Sequence, residues 1–256
     1  VFFSKEKNKK TGRVNYSGQI IPTRGAWIEF ETGSKDIWYA KFDRSKKIPV
    51  TTFIRSMGIA KNKDIYDLFG KSAFLEAAME REAKDIADRK RNYLEKNKSN
   101  KDRIKVIDKY TEYDWSLIDM YVKLRQEEDV PPENARDFLI SRLFDDRRYD
   151  LQTVGRYKYN KKLSMVNRLP GCKVAQPVIS EYTGELLAEP GEVLTKQKAL
   201  EIEHAGVMKV VVACEDGSEL FVISNGMVYA DAILPCDFTK AELEEIGINE
   251  KVRYSV

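Results

Sequence analysis

Short runs of alternating apolar and polar positions characterise residues 1–55. The runs Arg13–Pro22, Ala26–Glu31 and Asp36–Phe42 are rich in β-branched and aromatic residues, and Ala26–Glu31 alternates with the period of two that is typical of a half-buried strand. Glycine-containing or polar turns separate them, at Gly25, Gly33-Ser34 and Lys46-Lys47. The pattern predicts a meander of short antiparallel strands.

From about Thr51 the apolar positions take the period of amphipathic helices instead. Two of these runs end at a glycine, one contains neither Pro nor Gly, and one has proline at its start, as helix ends favour. The predicted helices cover Thr52–Met57, Lys63–Phe69, Ser72–Lys98, Trp115–Leu124 and a segment that begins at Pro131-Pro132.

Strand-like runs return after a boundary at Asn167–Gly171, where charge and turn content both shift. They are Val174–Ile179, Leu186–Leu187, Val207–Ala213 and Leu220–Ile223, with one short helix at Lys196–Glu203. Because strands and helices are segregated along the chain, we expect an α+β fold. The expected division is a β-rich base (1–55) with a mainly helical body (56–166), followed by a separate small β-rich insertion domain (167–256).

Composition narrows the class of protein. The 256 residues are 42% hydrophobic and 33% charged, which indicates a packed core and a solvated surface. No apolar run approaches the ~18–20 residues of a membrane span. Cys172, Cys214 and Cys236 are odd in number and lack a C-x-x-C spacing, which indicates reduced thiols in a cytoplasmic protein. The chain does not begin with Met, so we expect it to be a piece of something longer.

The net charge of +3 conceals an asymmetry. Residues 1–170 contain 37 Lys and Arg against 26 Asp and Glu, whereas residues 171–256 contain 7 against 15. A basic segment joined to an acidic one is typical of two modules that face different surroundings, and a polyanion is the surface that a basic module favours.

Motifs for catalysis are missing from the sequence. It contains neither a G-x-x-x-x-G-K-[ST] phosphate loop nor a G-x-G-x-x-G fingerprint, and His204 is its single histidine, which we expect at the surface or in packing. The acidic clusters Asp145-Asp146 and Glu127-Glu128-Asp129 are interpreted as solvated charges rather than Mg²⁺ ligands. The residues by themselves indicate a binding module rather than a catalyst.

Basic residues interleaved with aromatic ones are the strongest binding signal. Lys and Arg gain affinity from phosphates, and an exposed ring offers a stacking face to an unpaired base. Trp27 follows an Arg-Gly turn and shares a strand face with Glu29 and Glu31, so we expect its ring to be exposed. Four other aromatic residues are expected to pack into a core, namely Trp38, Tyr39, Tyr157 and Tyr159.

Several strings in order along the chain closely resemble the lobe region of the β subunit of bacterial DNA-dependent RNA polymerase. They are Val1-Phe2-Phe3, Ile20-Ile21-Pro22-x-Arg24-Gly25-x-Trp27-Ile28-Glu29-Phe30-Glu31, Phe42-Asp43-Arg44-x-Lys46-Lys47-Ile48-Pro49, and Leu143-Phe144-Asp145-x-x-Arg148-Tyr149-Asp150-Leu151-x-x-Val154-Gly155-Arg156-Tyr157-Lys158-x-Asn160-Lys161-Lys162-Leu163. Thr183-Gly184-Glu185-Leu186-Leu187-Ala188-Glu189 resembles an insertion of Gram-positive, clostridia-like lineages. The acidic Glu127-Glu128-Asp129 departs from the family, which has a Pro-Gly turn there.

The resemblance implies a role in transcription. The chain would form part of the cleft jaw that contacts downstream DNA and the non-template strand, in a nucleotidyltransferase whose Mg²⁺ is held by aspartates of the partner β′ subunit. The fragment would need no cofactor and would lack the catalytic site. Its partners would be DNA, the β′, α and ω subunits and sigma factor, in the cytoplasm at the nucleoid, with no membrane contact.

In the family, the tryptophan at the position of Trp27 stacks on an unpaired non-template base, and we expect the adjacent basic loop and the basic residues of the basic–aromatic clusters to complete a candidate DNA interface. Its residues are Trp27, Arg24, Asp43, Arg44, Lys46, Lys47, Arg156 and Lys158. Two alternatives from other classes stay open: a stand-alone module that binds single-stranded nucleic acid, and a protein-interaction scaffold. A continuous reading frame of more than about a thousand residues around this segment would favour the polymerase subunit.

Overall fold

The computed structural model describes residues 1–7, 9, 12–33, 35–43, 45–234 and 238–254. The chain forms two compact units, Val1–Gln152 and Thr153–Val256. Helices and antiparallel sheets are both present, which confirms the predicted α+β class. Among the described residues, no helix combines the length and apolar character needed to cross a membrane.

The first unit contains the predicted antiparallel meander. Its strands follow one another in sequence order across the sheet, and Ile28 pairs with Ile20 on one neighbour and with Phe42 on the other. The strands are β1 (Phe2–Lys7), β2 (Val14–Ile20), β3 (Ile28–Thr32), β4 (Trp38–Phe42) and β5 (Ile48–Pro49). The sequence did not single out β1, because all six of its side chains are exposed and carry no burial pattern.

Helices of the first unit begin and end close to the predicted positions. Ser72 Oγ accepts a hydrogen bond from the Leu75 N–H at the start of one helix, and Gly70 ends another at a φ of 77°. The helices are α1 (Val50–Ser56), α2 (Asn62–Phe69), α3 (Ala73–Asn97), α4 (Lys101–Ile107), α5 (Glu112–Arg125) and α6 (Pro132–Leu143). The predicted run Ser72–Lys98 is thus helical almost to its end, as α3 from Ala73 to Asn97.

The main core of this unit lies between the sheet and the helices. Ile28, Phe42 and Ile48 supply the apolar face of the sheet, and Ile118 and Met120 of α5 belong to the same buried cluster. Burial of such side chains contributes about 1.5–3 kcal/mol each. This core fixes the inward face of β3 and thereby determines which of its neighbours remain outside.

One ion pair is buried inside the first unit. Arg55 on α1 and Glu82 on α3 are 5% and 2% exposed, and both carboxylate oxygens of Glu82 accept from Arg55 Nε, at 3.1 and 3.0 Å. Ser116 Oγ on α5 donates to the same carboxylate at 3.3 Å. The pair and its serine partner therefore connect α1, α3 and α5. Removing one charge of a buried pair leaves the other without compensation, which is strongly destabilising.

The second unit holds short strands and helices around its own core. Val174, Leu194, Ile202 and Val212 are among its buried residues. Its elements are α7 (Gln152–Leu163, whose first residue ends the first unit), β6 (Lys173–Val174), β7 (Val178–Ile179), β8 (Leu186–Ala188), α8 (Lys196–His204), β9 (Lys209–Ala213), β10 (Glu219–Ile223), β11 (Met227–Tyr229), α9 (Lys240–Glu245) and β12 (Lys251–Arg253).

Two details of this unit differ from the pattern in the sequence. The run Val174–Ile179 is divided into β6 and β7, which belong to different sheets, with Pro177 between them. Proline lacks the N–H that a continuous ladder needs. The compact units divide at Gln152, whereas the predicted boundary between lobe and insertion lies at 166/167. Compactness and lineage-specific insertion are different criteria, so the predicted division stays a prediction.

Candidate nucleic-acid interface

Trp27 lies immediately before β3 and presents its ring to solvent. The indole residue is 49% exposed, whereas its neighbours Ala26 and Ile28 are only 6% and 8% exposed. Successive side chains of an extended segment point to opposite faces, so the inward anchoring of the neighbours sends Trp27 outward. The predicted exposure of this ring is therefore observed.

Asp43 holds the backbone of Trp27 from the end of the adjacent strand. The Trp27 N–H donates to Asp43 Oδ1 at 2.8 Å, and the Asp43 N–H donates to the Trp27 carbonyl oxygen at 2.8 Å. The second carboxylate oxygen accepts from Arg142 Nη2 on α6 at 2.7 Å. Asp43 has a φ of 54°, a left-handed conformation that Asp tolerates better than most residues. Its carboxylate therefore positions Trp27, whatever it does toward DNA.

The turn before Trp27 is fastened to the segment that follows α6. Arg24 forms an antiparallel bridge with Asp150, and Arg24 Nη1 donates to the carbonyl oxygen of Arg147 at 3.3 Å. Gly25 has a φ of 114°, and a Cβ built on it would lie 2.8 Å from a ring carbon of Tyr149. Only glycine fits this close approach, which explains the glycine in the Arg-Gly turn.

The lysines after Asp43 have different surroundings. Lys46 is exposed, whereas Lys47 Nζ lies 2.5 Å from Glu31 Oε1, and Lys41 Nζ lies 3.0 Å from Glu31 Oε2. Burial raises the pKa of Glu31, but hydrogen bonds from Lys47 and Lys41 outweigh it and hold that pKa below its usual value. Part of the charge of Lys47 is thus neutralised within the sheet. Arg44 lies outside the described residues.

Arg156 and Lys158 belong to α7 and so to the second unit. Both are exposed, and this fully described helix has no acidic residue and buries none of its side chains. The predicted interface residues therefore fall into two groups, with Arg24, Trp27, Asp43, Lys46 and Lys47 in the first unit. Within that first group, Asp43 contacts Trp27 directly, and Lys47 pairs with Glu31 of β3.

The expected burial of four aromatic residues was wrong in part. Tyr157 is 57% exposed on α7, since that helix has no face packed into a core. Trp38 is 38% exposed, although its ring stacks on Phe74 at 5.6 Å. Tyr39 and Tyr159 are half-buried. The helix carrying Tyr157 thus presents an exposed aromatic ring among its basic residues.

Sequence reasoning missed the residues that support the exposed tryptophan. Arg142 lies 99 positions after Asp43, and Tyr149 follows it in a polar segment. Tyr149 belongs to one of the motifs that resemble the family. Nothing in that motif indicated that Tyr149 would lie against Gly25. Arg142 had no local signal, because it reads as one charge of an amphipathic helix.

The acidic clusters are engaged in local pairing. Glu127 accepts a hydrogen bond from the Tyr121 hydroxyl at 2.7 Å, Glu128 pairs with Lys96, and Asp129 lies 2.5 Å from Arg103. Among the described side chains, no group of three or more His, Cys, Asp or Glu residues is arranged to hold a metal ion.

The chain that carries this site matches a known protein family. Residues 1–171 match the family "RNA polymerase Rpb2, domain 2", so the chain belongs to that family. The resemblance seen in the motifs is confirmed.

The particular relatives are bacterial proteins named DNA-directed RNA polymerase subunit beta. The one from Acholeplasma laidlawii is 44% identical over 197 residues, which are 77% of this chain and 13% of the relative. The one from Alkaliphilus oremlandii is 35% identical over 256 residues, or 100% of this chain and 18% of the relative. The one from Staphylococcus haemolyticus is 40% identical over 228 residues, which are 89% of this chain and 16% of the relative. The chain thus spans less than a fifth of the length of these relatives.

Proposed function

We propose that this chain works as part of the β subunit of a bacterial DNA-directed RNA polymerase. It forms part of the cleft jaw along downstream DNA, and Trp27 stacks on an unpaired base of the non-template strand. This role rests on family membership and on the surroundings of Trp27, where a half-exposed indole stands on a backbone held from two sides.

The exposed ring on an immobilised backbone is the observation that carries the proposal. A stacking surface loses less entropy on binding when its backbone is already fixed. Asp43 and Arg142 provide that fixation, and the Arg24–Asp150 bridge fastens the preceding turn. A base stacked on an aromatic side chain gains about 1–3 kcal/mol, and such stacking tolerates any base while favouring those that stack more strongly.

Basic residues near the ring supply the attraction for phosphates. Arg24 precedes Trp27 in the same turn, and Arg24 and Lys46 are both exposed in the chain's first unit. In the second unit, Arg156 and Lys158 are exposed on a helix without acidic residues. Each such residue that neutralises a phosphate releases counterions, so binding weakens as salt rises.

Polymerisation itself belongs to other parts of the enzyme in this proposal. The Mg²⁺ is held by the β′ subunit, and we assign no step of nucleotidyl transfer to the residues of this chain. The β′, α and ω subunits and sigma factor are its partners. In this role the chain acts on chromosomal DNA, in the cytoplasm at the nucleoid.

The test introduces Trp27→Ala and Trp27→Phe into the complete β subunit of an assembled polymerase. Open-complex lifetime is measured on promoters that differ only in the non-template base next to the downstream duplex. We expect Trp27→Ala to shorten the lifetime in a base-dependent way, with a loss of at most about 1–3 kcal/mol. Trp27→Phe should retain most of it, and elongation on a preformed scaffold should be unchanged.

An effect of Trp27→Ala that is equal for every base would overturn the stacking role. Tight, salt-sensitive binding of single-stranded DNA by the isolated 256-residue chain would instead favour the stand-alone nucleic-acid-binding module. The two experiments therefore separate the polymerase role from its main alternative.

A further inference from the structure

A basic cavity lies within the second unit. Its volume is about 450 Å³, and α7, α8, α9 and β12 all contribute to its lining. Five of the lining residues are cationic and one, Glu250, is a carboxylate. The cations are Arg156, Lys161, Lys196, Lys240 and Lys251.

This concentration of positive charge runs against the composition of the unit. Residues 153–256 contain 12 Lys and Arg against 15 Asp and Glu, so the unit as a whole is acidic. Like charges that converge on one concave surface repel each other, and low-dielectric walls strengthen their field. An arrangement of this kind is favourable when an anion occupies the space between the cations.

The tyrosine at the end of β11 gathers two of the ammonium groups. Lys240 Nζ lies 3.9 Å from the centre of the Tyr229 ring, and Lys251 Nζ lies 4.9 Å from it. Lys251 also donates to Ser164 Oγ at 3.2 Å and pairs with Glu203, whose residue is 2% exposed. These contacts fix the positions of Lys240 and Lys251 in the wall of the cavity.

Two other ammonium groups are available to a ligand. Neither Lys161 on α7 nor Lys196 at the start of α8 has a carboxylate partner in the part of the chain that the structure describes. Lys240, by contrast, is 3.6 Å from Glu244, and Lys251 is committed to Glu203. The cavity therefore combines a fixed basic wall with two uncompensated lysines.

We infer that this cavity binds a phosphate-bearing anion. Phosphate offers several strong acceptor oxygens to converging lysines, and charge-assisted hydrogen bonds are stronger than neutral ones. The volume falls within the ~300–1,000 Å³ of typical small-molecule sites. The site does not depend on DNA contact by Trp27, which lies in the other unit.

The experiment measures binding of inorganic tripolyphosphate to the 256-residue chain by calorimetry at low salt. The test variant is Lys161→Gln with Lys196→Gln. The matched control is Lys162→Gln with Lys173→Gln, which removes the same charge from exposed lysines of the same unit outside the cavity. We expect the test variant to bind about tenfold more weakly than the control, as for the loss of charged hydrogen bonds.

Equal weakening in both double variants would overturn the inference, since it would show general charge attraction. Absence of tripolyphosphate binding to the unaltered chain would overturn it as well. Competition by a single-stranded oligonucleotide, lost in the test variant alone, would identify the phosphates as those of a nucleic-acid strand. Binding without such competition would identify a free phosphorylated molecule.

Discussion

Asp43 and Trp27 are joined by two reciprocal hydrogen bonds, each 2.8 Å long, between the ends of neighbouring strands. One uses the Asp43 side chain and the other its backbone, so the pair resembles a turn closed by a capping carboxylate. The Trp27 indole therefore lies outside the core, while the backbone of Trp27 is held by these two hydrogen bonds.

Replacement of Asp43 tests how much the carboxylate supports this arrangement. Asp43→Ala removes the acceptor of the Trp27 N–H and leaves alanine at a φ of 54°. We expect the free energy of unfolding to fall by about 1–2 kcal/mol. Asp43→Asn keeps an acceptor oxygen and a residue that tolerates this φ, so it should lose about 0.5 kcal/mol or less. Urea unfolding of both variants measures the difference, and equal losses would contradict the positioning role.

Gly25 provides a second test of the same turn, with Gly58 as its control. Both residues have φ above 100°, but a Cβ at Gly25 meets Tyr149 and the Arg148 carbonyl oxygen at 2.8 and 2.9 Å, whereas nothing lies within 4 Å at Gly58. We expect Gly25→Ala to destabilise the first unit by about 1–3 kcal/mol more than Gly58→Ala. Denaturant midpoints report the comparison, and equal midpoints would show that the turn is not packed as described.

The buried pair of Arg55 and Glu82 should behave as a unit. Glu82→Leu leaves a buried guanidinium without its main partner, so we expect a loss of about 3 kcal/mol in stability. Arg55→Met combined with Glu82→Leu should cost less than Glu82→Leu alone, because no charge is left buried. Thermal and urea unfolding of the single and double variants decide this. Glu128→Gln, at an exposed ion pair, serves as the control and should leave the stability nearly unchanged.

Glu31 should contribute to the acid sensitivity of the sheet. The pKa of this carboxyl is lowered in the folded chain, because hydrogen bonds from Lys47 and Lys41 outweigh the effect of burial. A lowered pKa gives stability that is present above the ordinary value of 4.5 and is lost as pH falls through the folded value. Glu31→Gln should therefore flatten the decline of stability below about pH 4.5.

The measurement for Glu31 is urea unfolding at a series of pH values. Glu29→Gln, two residues away on the same strand, is the control and should keep the decline of the unaltered chain. An identical pH profile for Glu31→Gln and the unaltered chain would contradict the role of the two lysines.

Much of the local structure was determined by the sequence alone. The strand-like runs in residues 13–42, with their alternation at Ala26–Glu31, predicted three of the meander's strands, and Gly70 and Ser72 marked helix ends. The same alternation predicted that Ile28 faces the core and that Trp27 does not. These features depend on near neighbours in the chain, which is why a local pattern reports them. The ordered motifs likewise indicated the polymerase family.

Only the tertiary structure decided which distant residues meet. Arg142 reaches Asp43 across 99 positions, and Tyr149 fills the space that Gly25 leaves open. Lys47, predicted as part of the DNA interface, pairs with Glu31, and the basic helix α7 contributes Lys161 to a cavity shared with α9 and β12. Periodicity shows which face of an element is buried but not what covers it. That choice depends on the return of the chain in space, because the contact energies are set by neighbours that no local window contains.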